Sequence, residues 1–159
     1  MSTKLERAYQ KELHNALEKC QFIEETLRMC IFSAVEIVRL QVSPHFPVRY
    51  ESKDIAKLPL GALVKIFAKI NSDTALHKSL KEITQERNDV AHRSLLFTLG
   101  ELKDKHHMTE VTLKMKGIVA RATVVHSKVL DIRYALLRSL NKVKRSSGKV
   151  NLKTKGSAS

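Results

Sequence analysis

The sequence predicts an all-α fold, a helical bundle of about four to five helices with two of them long, and three observations carry that prediction. The chain has 159 residues but only five glycines and three prolines, so few breaks punctuate it and the elements between them must be long. Apolar residues recur over long stretches at alternating steps of three and four, the period that lines one face of a helix. No segment reads as a strand, with apolar and polar residues in strict alternation. The length suits one domain with a real core and is short for two. A bundle domain is therefore expected over residues 1–141, followed by a basic tail over 142–159.

The first helix is predicted from about Thr3 to about Val42, with the seam Leu13, Ala16, Cys20, Ile23, Leu27, Cys30, Ala34 and Ile37. Phe22, Met29, Phe32, Val35 and Val38 fall off that seam. A helix with apolar residues on more than one face needs more than one neighbour, which suggests bundle packing plus a partner subunit. Cys20 and Cys30 lie about 15 Å apart by helical rise, too far to bridge within one chain, and read as buried thiols of a reduced, cytoplasmic protein. Pro44 and Pro47 end the helix, and a polar loop is expected to about Leu58. A shorter helix follows, with Pro59 in its first turn and Leu60, Leu63, Val64, Phe67 and Ile70 on one face.

Asn71-Ser72-Asp73 supplies a stop and a fresh N-cap. The third helix is expected from about Thr74 to about Leu99, stopping at Gly100. The last spans roughly 106–141 on the seam Met108, Val111, Met115, Ile118, Ala122, Val125, Val129, Ile132 and Leu136. His106-His107 reads as part of a solvated loop; no Cys or carboxylate set with metal spacing accompanies it, so neither a metal nor a cofactor is expected. From Lys142 onward Lys, Ser and Gly dominate and the apolar period stops, which predicts a tail without ordered structure.

Charge narrows the partners. The formal net charge is +13, from 29 Lys and Arg against 16 Asp and Glu. The last eighteen residues hold six of the basic ones and no acid; without them 23 basic residues face 16 acidic, so the bundle itself is basic. A polyanion is the natural partner for such a surface, nucleic acid first. The best apolar run, Met29 to Val38, is short and interrupted by Ser33 and Glu36, so no membrane span is expected. The opening residues lack the apolar core of a secretory signal.

The third helix carries the irregularity. Its apolar line runs Leu76, Leu80, Ile83, then Arg87, Val90, Ser94 and Phe97. An arginine inside an apolar seam is costly unless it is paired or faces a cleft. Asn88 and His92 form an i, i+4 pair beside it, and Arg87 and His92 are about 140° apart around the helix, so they can border one groove. Arg holds phosphate through a two-pronged contact, an imidazole exchanges protons near neutrality, and Asn can orient the imidazole or hold a phosphate oxygen. That set suits cleavage of a phosphodiester by the neighbouring 2′-hydroxyl, which needs proton transfer and charge stabilisation but no metal. Arg93, Lys142, Lys144 and Arg145 are the further candidates for contact with nucleic acid.

At Arg87-Asn88-Asp89-Val90-Ala91-His92 the sequence resembles the HEPN family, helical domains with an R-x4-6-H motif and often Asn directly after the Arg. The long first helix and the run Leu-Pro-Leu-Gly-Ala-Leu-Val-Lys-Ile-Phe before Glu86-Arg87-Asn88 are similar to small HEPN proteins of bacterial toxin and phage-defence systems, over about residues 1–140. The resemblance implies a homodimer in which two motif helices face each other and build one composite RNA-cleaving site without a metal, with Arg87, Asn88 and His92 in it. It also implies an antitoxin or another defence-operon protein as a possible partner. Relatives controlled by a nucleotidyltransferase antitoxin carry Tyr two places after the His; Ser94 stands there, against that particular regulation. The alternative is a non-catalytic helical dimerisation module that binds nucleic acid or a partner protein.

Overall fold

A computed structural model of the protein describes residues 3–42, 46, 52–98 and 105–154, with side chains for all of these except 52, 95–98, 105 and 147–154. Five helices make up the fold: α1 (Lys4–Val42), α2 (Ser52–Ala56), α3 (Leu60–Ile70), α4 (Thr74–Thr98) and α5 (Lys105–Thr154). There is no strand among the described residues, and the all-α bundle with two long helices is as the sequence predicts. Pro44, Pro47, Leu99, Gly100 and Lys155 lie outside the described residues, as do the side chains of Phe97, Lys149 and Lys153.

The helix starts are set by local chemistry. Before α1, the Glu6 amide donates to Thr3 Oγ1 at 3.2 Å and the Thr3 amide to Glu6 Oε2 at 2.6 Å, a reciprocal capping box that satisfies two otherwise orphaned donors. At α4 the Leu76 amide donates to Asp73 Oδ1 at 2.9 Å, and the Asp73 amide to Asn71 Oδ1 at 2.9 Å. The Asn-Ser-Asp triplet thus stops one helix and caps the next, as expected. Pro59 stands one place before α3 as its N-cap, its carbonyl accepting from the Ala62 and Leu63 amides.

α1 and α5 run parallel. His126 Nε2 meets Thr26 Oγ1 at 3.1 Å across 100 positions, and the Cys30 thiol meets the Val129 carbonyl at 3.8 Å across 99, one turn further along both helices. α4 lies antiparallel to α5, since Glu86 pairs with Arg121 while the later Arg93 approaches the earlier His107.

Two apolar clusters result. The larger gathers Cys20, Ile23, Leu27, Cys30 and Ile31 of α1, Ile55 of α2, most of the α3 face, Leu76, Leu80 and Ile83 of α4, and Ala122, Val125 and Val129 of α5. The smaller holds Tyr9, Leu13 and Ala16, then Val90, then Met108, Val111, Met115 and Ile118. Most of both seams read from the sequence is therefore buried, while Ala34 and Ile37 at the end of one and Ile132 and Leu136 at the end of the other are half-buried.

Three expectations are corrected. The stretch before Leu58 is not all loop: Ser52–Ala56 forms α2, because Ile55, at 2% exposure, docks into the larger cluster and fixes the turn around it. His106 and His107 are not in a loop, for α5 begins at Lys105. The last helix does not end at 141 but runs to Thr154, fifty residues in all. An apolar period records burial, not helicity; beyond it Lys, Arg and Leu still favour helix and no proline intervenes. Leu140 is buried and Val143 half-buried, so even the seam extends past its predicted end.

Candidate functional site

α4 crosses from one cluster to the other, and the site lies at the crossing. Ile83 and Val90 are each 1% exposed. Arg87, between them on the same line, is half-buried, while Asn88 and His92 are exposed and Arg93 is half-buried. The seam irregularity is thus a physical one: a guanidinium sits where the two apolar clusters part.

Its surroundings offer little compensation. Arg87 Nη1 donates to Asn88 Oδ1 at a long 3.4 Å, and Arg87 makes no ion pair among the described residues. Glu24 and Glu36, the carboxylates that could have neutralised it, are engaged elsewhere. Glu24 pairs with Arg28, and Glu36 with Arg39 at 2.7 Å. The Arg39 hydrogen bond holds the Glu36 carboxyl below the usual carboxylate range, with Lys144 helping.

Both site arginines bear on groups of α1. Burial pushes the Cys20 thiol up to about 11, with Arg87 acting against that rise and Glu86 and Glu24 adding to it. Burial likewise raises the Tyr9 hydroxyl, opposed by Arg93. Cys20 is free, buried and protonated near neutrality, so its thiol is a packing group and no nucleophile.

Sequence reasoning did not find two contacts that frame this stretch. Glu86, adjacent to Arg87, pairs with Arg121 of α5, and Arg93 Nη1 comes within 3.5 Å of His107 Nε2 in the first turn of α5. Both depend on the antiparallel register of α4 and α5. The apolar period of each helix was the only available hint, and it fixes facing but not register.

The structure brings Arg87 and Asn88 together and leaves His92 open on the same side, with no hydrogen bond among the described residues. It does not bring the tail cations to them. Lys142, Lys144 and Arg145 are exposed and lie about 50 Å along α5 from His107. Between α4 and α5, beside the motif, a groove of about 320 Å³ is lined by Ile83, Ala120, Arg121, Val124 and Val125. Val124 and Leu113 on that helix are 59% and 63% exposed. Among the described residues, no group of three or more His, Cys, Asp or Glu side chains is placed to hold a metal ion, and no helix is long and apolar enough to cross a membrane.

Comparison of the chain with family models, with curated proteins and with solved structures finds no match in any of the three.

Proposed function

We propose that the protein is a metal-independent endoribonuclease of HEPN type, acting as a homodimer whose two α4 motifs form one composite site. The observation that carries this reading is Arg87: a half-buried cation in an apolar seam, without an ion pair among the described residues, beside open Asn88 and His92. An unpaired guanidinium at such a position is favourable only when an anion completes it. A phosphodiester does so with two acceptor oxygens.

In this reading Arg87 binds the scissile phosphate and neutralises the charge that builds on it. The 2′-hydroxyl oxygen attacks phosphorus, its proton passes to an imidazole, and the bond from phosphorus to the 5′ oxygen breaks. The 5′ oxygen takes a proton from an imidazolium of the composite site, leaving a 2′,3′-cyclic phosphate and a 5′-hydroxyl end. His92 supplies the imidazole and Asn88 orients it. The exposed Val124, which lines the α4–α5 groove, supports a second copy packing there. A setting in toxin–antitoxin or phage defence, with an antitoxin or operon protein as regulator, rests on the resemblance of the motif alone.

The test is cleavage of total RNA in EDTA by wild type, His92→Ala and Arg87→Ala, with cyclic-phosphate ends assayed on the products. Cleavage by wild type and its loss in both variants is expected. A purified dimer that cuts no RNA, or a His92→Ala protein that cuts equally well, defeats the proposal.

A second reading has its own observation. In the free chain Asn88 Oδ1 accepts from Arg87 and the His92 ring makes no hydrogen bond among the described residues, as a non-catalytic module that binds RNA or a partner protein through its basic surface would allow. It predicts binding that weakens steeply with salt and ignores His92→Ala.

A further inference from the structure

A second groove lies among α1, α2 and α5, with a volume of about 440 Å³. Its walls are apolar: Met29 and Phe32 of α1, Ile55 of α2, and Leu137 and Leu140 of α5. Met29 and Phe32 are 37% and 45% exposed, so this surface is partly open to solvent.

Two arginines stand in the groove, and they differ. Arg28 is engaged: its guanidinium pairs with Glu24, bonds Glu25 at 2.9 Å and donates to the Leu58 carbonyl at 3.1 Å. Both Nε atoms are buried without an acceptor, but Arg133 of α5, unlike Arg28, has no hydrogen bond or ion pair at its terminal nitrogens among the described residues either. Burial costs a cation several kcal/mol unless an anion and hydrogen-bond acceptors replace the lost water.

We infer that this groove binds an amphiphilic monocarboxylate, with the apolar chain along the α1–α5 wall and the carboxylate on Arg133. The volume falls within the range of small-ligand sites, which are mostly apolar with one or two polar groups fixing orientation. One free guanidinium matches one carboxylate through a paired contact. Glu25 at the rim stands against a second negative charge, which disfavours a phosphate dianion. The groove shares no lining residue with the Arg87 site, and the inference does not depend on RNA cleavage.

Calorimetric titration of the full chain with decanoate and with decanol tests it, alongside Arg133→Gln and Phe32→Ser. Decanoate is expected to bind wild type at least about tenfold more tightly than decanol, and Arg133→Gln to remove most of that preference, the usual scale of a charge-assisted pair. Phe32→Ser, at a partly exposed position, is expected to weaken both ligands while helical circular dichroism stays unchanged. Equal binding of the two ligands, decanoate binding indifferent to Arg133→Gln, or no binding to a natively helical protein overturns the inference. So does a change of sedimentation state in either variant, which would make the groove a contact between copies of the chain.

Discussion

The two ends of the bundle are built differently. At one, α1 and α5 are closed in by α2, α3 and the first half of α4, and α4 contributes three fully buried side chains, Leu76, Leu80 and Ile83. At the other, among the described residues, α4 is anchored by Val90 alone, and Arg87, Arg93 and His107 border the cluster. Among the described side chains α4 is thus held by three at one end and one at the other, and the less anchored stretch of a helix can open locally without unfolding the whole. The motif therefore lies on the less firmly anchored part of α4, and the rest of the fold keeps that helix in place.

Substitutions at the two ends test that contrast. Leu27→Ala, in the larger cluster at 0% exposure, should cost about 3–4 kcal/mol by denaturant titration. Val90→Ala should cost about 2 kcal/mol, and it should speed hydrogen exchange in the second half of α4 while leaving α3 protected. Equal exchange along all of α4 would erase the distinction between the ends.

Arg87→Leu restores the apolar seam and is expected to stabilise the protein by about 1 kcal/mol. Under the proposed function the same change abolishes RNA cleavage. A fall in stability would mean that the arginine is a structural partner.

The His126 ring, at the edge of the larger cluster, predicts a pH effect. Thr26 gives its hydroxyl proton to the Phe22 carbonyl at 2.7 Å, so its oxygen accepts from His126 Nε2–H. The ring also stacks on Phe22 at 6.0 Å. Burial, aided by Lys19, holds the imidazole below its ordinary value of 6.5. The unfolded chain thus takes up a proton first as pH falls. The neutral ring's contribution is present above about pH 6.5 and is lost as pH drops toward the folded value. Denaturation at pH 5 and pH 7.5 should show a smaller difference for His126→Gln than for wild type. The smallest effect belongs to Glu86→Gln: its partner Arg121 is half in solvent, so the loss should stay below about 1 kcal/mol and shrink in salt.

Much of this architecture was legible in the residues, and the exceptions share a cause. The α1 and α5 seams could be read because burial imposes a period on long helices. The Asn71-Ser72-Asp73 break could be read because capping needs particular side chains. Arg87 stood out because it breaks a period. α2 was invisible, since one isoleucine makes no pattern, and so was the continuation of α5 past Asn141, where Val143 alone among the described side chains is even half-buried. The contacts Glu86–Arg121 and Arg93–His107 depend on how two helices slide past each other. No one-helix pattern records that.

The parallel pairing of α1 with α5 has a consequence for how the chain folds. Two parallel helices cannot be joined by a tight turn, and here contacts such as Thr26–His126 and Cys30–Val129 link residues about a hundred positions apart. The entropy of closing so long a segment must be met before those contacts form. Folding should therefore be slower than in up-and-down bundles whose neighbours are adjacent in sequence. During synthesis the part of the α1 seam that α5 covers stays open until most of α5 has been made.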